Sequence, residues 1–166
     1  FVNLTGAFNL RLSTSNSATI LADATVKLNN NAMNIGTNGS YNWMVINGGV
    51  VTNVGAVGVG GGANSSGNSL TVSNNGRLFS GALTVGIGAG ASGNVYNAGG
   101  FGAQSTISNG QVTVGSTGGG NNTMNVTNVN LTSTGLTLGN GSSNNTVNVA
   151  RSEEHTSELQ SPYVIS

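Results

Sequence analysis

A chain of 166 residues with 5% charged side chains and zero formal net charge offers no basic face to nucleic acid or to anionic lipid. Its 36% of hydrophobic residues suffice to bury a core, so the low charge is not the signature of disorder. Zero cysteines exclude a disulfide framework and thiolate metal sites, and no apolar run approaches the ~20 residues of a membrane-spanning helix.

The first residue is Phe1 rather than Met, and no signal-peptide pattern follows it, as expected of a mature chain or a fragment. In residues 1–42 the stretches FNLRL (8–12), ATIL (18–21) and TVKL (25–28) read as strands, and irregular coils or an N-terminal cap fit the region equally. MNIG (33–36) is a degenerate first copy of a pattern that becomes clear further on.

From 43 to 150 the chain repeats itself. MVINGGVVTNVGAVGVGGGANSSGN (44–68) and LTVSNNGRLFSGALTVGIGAGASGN (70–94) coincide at nine glycine, alanine, valine, serine and asparagine positions when Met44 is set on Leu70, a step of 26. QVTVGSTGGGNN (111–122) and LTLGNGSSNN (136–145) repeat the later part of the unit, with Val85 to Val114 a step of 29 and Val114 to Leu138 a step of 24. TMNV (123–126) and TVNV (146–149) open further units. Steps of 23 to 29 imply loops of changing length around fixed strands.

Each unit carries three short alternating segments, clearest as LTV (70–72), RLF (77–79) and LTV (83–85), separated by turns rich in Asn and Gly. Poor helix formers and the lack of a 3.6-residue stripe argue against helices. The spacing predicts an all-β parallel β-solenoid with three short strands per coil and about 23–29 residues per coil, and an antiparallel sandwich is its rival. Inward ranks are expected at Leu70 and Val72 over Met124 and Val126, and at Leu83 and Val85 over Val112, Val114, Leu136 and Leu138. Thr84, Thr113 and Thr137 form an outward rank. Asn68, Asn94, Asn122 and Asn145 recur just before the first strand, where stacked amides can bond along the axis as a structural ladder.

Catalytic chemistry finds few supports. GAGASG (88–93) matches G-x-G-x-x-G, but neither a helix nor an acidic residue follows, as a dinucleotide site requires. The glycine-rich loops hold no carboxylate for calcium. Residues 1–150 contain one carboxylate, Asp23, and no histidine, so neither the paired acids of a glycosidase nor a base for a serine nucleophile is at hand. No enzyme, cofactor or metal is expected. Tyr41, Trp43 and Tyr96 are read as exposed aromatics and candidate glycan-stacking positions. Sequons such as those at Asn3, Asn38 and Asn64 are expected from composition alone.

The unit NSLTVSNNGRLFSGALTVGIGAGASGN (68–94) resembles the repeats of bacterial autotransporter passengers and related large surface proteins, over about residues 43–149. The resemblance implies a right-handed parallel β-helix, secreted or at the cell surface, serving as a non-catalytic structural or adhesive segment. Its implied partners are extracellular glycans or surface proteins and further coils of its own longer chain. The alternative is a fragment of a carbohydrate-binding or carbohydrate-active β-helix protein whose catalytic part lies elsewhere.

The last stretch breaks the pattern. Residues 151–166 hold the chain's lone histidine, His155, and its lone proline, Pro162, with no glycine. RSEEHTSELQS (151–161) matches the translation of a short-read sequencing adapter, so a non-native, disordered tail joined near Ala150 is expected.

Overall fold

The computed structural model describes residues 1–11 and 14–150; the expectations for the tail at 151–166 lie outside the described residues. Among the described residues there is no helix, and thirteen strands follow one another. They are β1 (Val2–Asn3), β2 (Phe8–Arg11), β3 (Ser17–Leu21), β4 (Thr25–Thr37), β5 (Trp43–Asn47), β6 (Val50–Gly61) and β7 (Ser69–Ser73). After them come β8 (Arg77–Ile87), β9 (Val95–Gly99), β10 (Ser105–Ser116), β11 (Thr123–Thr127), β12 (Val129–Asn140) and β13 (Thr146–Ala150). Odd-numbered strands from β3 to β13 build one six-stranded sheet. The second sheet runs β1-β4-β6-β8-β10-β12, with β2 also beside β4. Every pairing between these strands is parallel, so the chain winds between the two sheets as a β-solenoid of about six turns.

The second and third segments of each unit join into one bent strand, for example β8, which runs through both RLF and LTV. The bend is visible in the alternation. Leu78 is buried and so are Leu83 and Val85, and the odd step from 78 to 83 slips the inward parity by one residue. Glycine occupies this bend for want of space: a Cβ on Gly81 would lie 2.0 Å from the carbonyl oxygen of Gly55 one turn below.

The core is a set of vertical ranks. In the six-stranded sheet Ala18, Met44, Leu70, Tyr96, Met124 and Val147 stack in register, and beside them Ile20, Ile46, Val72, Ala98 and Val126, with the exposed Val149 continuing that rank beyond the core. In the bent strands Val57, Leu83, Val112 and Leu136 form one rank and Val59, Val85, Val114 and Leu138 the next. Leu136 and Leu138 cover Val112 and Val114 but are themselves about half exposed. Residues 1–42 feed the same stack: β3 pairs with β5 and β4 with β6, with register shifts after Lys27 and Asn31.

Tyr96 corrects the reading of an exposed aromatic, because it is fully buried. The five-residue strand β9 adds a turn between Leu70 and Met124, and Tyr96 takes the inward position of that turn. Its neighbour in the adjoining rank is the small Ala98, and its hydroxyl meets Asn109 Oδ1 across the interior at 3.3 Å. The amide of Asn109 in turn donates to Ser80 Oγ at 2.7 Å.

Candidate binding groove

Two asparagine ranks run along the axis, one inside the wall and one on its outer face. The inner rank includes Asn68, Asn94, Asn122 and Asn145, and it also takes in Asn16 and Asn42, which sequence reasoning missed. At each rung the backbone N–H and the side-chain Nδ2 both donate to Oδ1 of the asparagine one turn on, at 2.9–3.1 Å from Asn16 through Asn122. The remaining amide proton of Asn68, Asn94 and Asn122 goes to the carbonyl of Gly39, Ser65 and Ala91 respectively. These amides are completely buried, and such groups are stable there only because each donor and acceptor is engaged.

A glycine rank makes room for them. Gly36, Gly60, Gly86 and Gly115 sit at φ +71° to +79°, and a Cβ on any of them would lie 2.1–2.2 Å from the amide of Asn68, Asn94, Asn122 or Asn145. The signal for the two missed rungs is present in SNSATI and YNWMVI, where asparagine again precedes the first residue of a strand by one position.

The outer face of the six-stranded sheet carries the second rank. Asn148 donates to Asn125, Asn125 to Asn97 and Asn97 to the Thr71 hydroxyl, each through Nδ2 at 2.8–3.0 Å. These bonds use one amide proton of each asparagine, and one carbonyl lone pair of Asn97 and of Asn125. A second proton and a second lone pair remain on each of those two.

A loop walls this face on one side. The corner from the six-stranded sheet to the bent strands takes residues 22–24, 48–49, 74–76, 100–104 and 128 in successive turns. The fourth is the longest. The insertion shows in the register: Val95 pairs with Ser69, 26 positions back, whereas Thr106 pairs with Arg77, 29 back. Its tip is Phe101, 99% exposed. The loop is tied on both flanks, since Asn75 N–H donates to the Ala103 carbonyl at 2.8 Å and Asn128 Nδ2 to the Gly102 carbonyl at 2.8 Å. At its foot a Cβ on Gly99 would meet the Thr127 carbonyl at 1.8 Å, so glycine is needed for the loop to leave the sheet there.

Between loop and sheet lies a half-open groove of about 1000 Å³, lined by Thr71, Asn97, Asn125, Thr127 and the 99–104 segment. Among the described residues no charged side chain lines it. Trp43 stands on the same outer face, on β5, one turn from Thr71 and one rank aside. It is 42% exposed, and the neighbouring Tyr41 is 62% exposed with its ring over Gly67. The structure thus places Trp43 on the groove's face and Tyr41 just before it in the chain, and Tyr96 in the core. Phe101 had no place among the aromatics singled out from sequence, although the step of 29 between Val85 and Val114 marked its loop.

Thr84, Thr113 and Thr137 lie in register on the other sheet, continuing a rank that holds Gly58 one turn earlier. GAGASG forms the corner between β8 and β9 and opens no helix. Among the described residues no group of three His, Cys, Asp or Glu comes together. In comparisons with protein-family models, curated proteins and solved structures, the chain matches none.

Proposed function

We propose that this chain is a non-catalytic structural or adhesive segment of a secreted bacterial surface protein, acting through its extended β-solenoid wall. The observation that carries this reading is the division of labour among the side chains. Apolar ranks and the buried Asn rank hold the stack together, while the outward rank of Thr71, Asn97, Asn125 and Asn148 on the groove face is neutral and polar. A rod of this kind gains length turn by turn without needing a larger core. The inventory of residues 1–150 agrees, since Asp23 is their single carboxylate and acid–base chemistry has no second partner.

The test is attachment. Beads coated with the protein should adhere to animal or plant cell surfaces above albumin-coated beads, and antibody to the protein should label intact cells that produce it. Failure of both would contradict the reading. A second reading, a carbohydrate-binding β-helix, is favoured by one observation, the groove beneath Phe101, whose described lining residues are all uncharged.

A further inference from the structure

We infer that the groove between the 99–104 loop and the Thr71–Asn97–Asn125 rank is a binding site for a neutral oligosaccharide, an inference that rests on the adhesive reading above and names its ligand. Four features lead to it. Phe101 offers an aromatic face fully to solvent, in a chain that otherwise buries most of its large apolar side chains. Such a face gains from covering the apolar C–H side of a sugar ring. The groove floor pairs donors with acceptors: the spare amide protons and lone pairs of Asn97 and Asn125 lie beside the hydroxyls of Thr71 and Thr127. A sugar hydroxyl both donates and accepts, so a mixed floor suits it better than a floor of one kind.

The floor is also fixed in advance. Inter-turn bonds hold the amides, and Asn75 and Asn128 hold the loop, so little side-chain freedom is lost when a ligand enters. Finally, none of the described lining residues is charged, which disfavours uronic or sialic acids and phosphate-bearing ligands. A peptide strand is disfavoured too, because it would pair with a sheet edge, and this groove lies over β7, β9 and β11, each already paired on both sides. Three strands contribute to the floor, at about 4.8 Å apart, so it extends roughly 10 Å and accepts about two to three sugar units.

The loop length supports a dedicated feature. Residues 100–104 add nothing to the apolar ranks, and the flanking turns close the same corner with residues 74–76 and with 128 alone. Extra loop residues on a rigid scaffold are where binding is commonly carried.

The experiment titrates the whole chain, followed by amide chemical shifts, with the neutral trisaccharides maltotriose, cellotriose, mannotriose and β-galactotriose. Trigalacturonate and a nine-residue extended peptide rich in Thr and Asn are run beside them. The inference expects at least one neutral trisaccharide to shift the signals of Thr71, Asn97, Asn125 and the 99–104 loop. Phe101→Ala should weaken that binding about five- to tenfold with an unchanged melting curve, and Phe101→Trp should retain it. Absence of any shift with the neutral sugars, insensitivity to Phe101→Ala, preference for trigalacturonate or the peptide, or shifts that track protein concentration through self-association would each overturn it. Coated beads separate this outcome from the adhesive reading. Beads that adhere while no neutral sugar binds overturn the groove site and leave adhesion standing; sugar binding without bead adhesion does the reverse.

Discussion

Asn94 shows what one residue does in this fold. Its Oδ1 accepts from the Asn68 N–H and Nδ2, and its own Nδ2 reaches Asn122 Oδ1 and the Ser65 carbonyl. Asn94→Ala strips two buried donors of their acceptor and should lower stability by about 3 kcal/mol, read by chemical denaturation. Asn145→Ala should cost only about 1 kcal/mol, because Asn145 is partly exposed and water can replace it. Gly60→Ala should match the Asn94 variant, since its φ of +71° disfavours a side chain and the added Cβ would strike the Asn94 amide.

Tyr96 supplies a pH-dependent counterpart. Desolvation by burial pushes its phenol above the ordinary value, so the folded chain keeps it neutral where the unfolded chain would ionise. Its contribution is therefore complete below about pH 10 and falls above that by up to about 1.4 kcal/mol per pH unit. Tyr96→Phe should lose about 1 kcal/mol at pH 7, by leaving Asn109 Oδ1 without its donor, and should lack the alkaline slope. Denaturation of both proteins at pH 8 and pH 11 measures the difference. An equal slope in both would contradict the assignment.

Among elements, the corner loops are separable from the stack. Replacing residues 100–104 with Asn-Asn-Gly, the sequence of the turn one coil earlier at 74–76, removes Phe101 without touching an apolar rank. Thermal unfolding should shift by less than about 3 °C, within about 1 kcal/mol. Strong destabilisation would mean that the loop is part of the scaffold. This separability also explains what could be read from the letters. The strands were legible because Leu70-Thr-Val72 and Leu83-Thr-Val85 alternate in period two, and the four asparagines from Asn68 on because their flanking loops repeat. Asn16 and Asn42 were obscured where those loops diverge in residues 1–42. The inward place of Tyr96 is marked by Asn94 two positions earlier, as Leu70 follows Asn68 and Met124 follows Asn122. The partner of its buried hydroxyl, however, is Asn109, thirteen positions later, and no local pattern points to that pair. The groove was legible only as an irregular step, because its walls come from three successive turns.

At the scale of the molecule, the parallel stack presents long and largely polar sheet faces, and the proposed binding groove lies on one of them. The pairing of turns underlies both the scaffold and the proposed binding face. Thr113 is in register with Thr84 and with Thr137 on either side. Adjacent strands lie about 4.8 Å apart, inside the separation a disulfide spans, and strands two turns apart lie roughly 10 Å apart, outside it. The chain has zero cysteines, so introduced pairs report without interference. Under mild oxidation Thr84→Cys with Thr113→Cys should close an intramolecular disulfide, seen by mass spectrometry, while Thr84→Cys with Thr137→Cys should stay reduced. Closure of the second pair with the first remaining open would contradict the parallel β-solenoid.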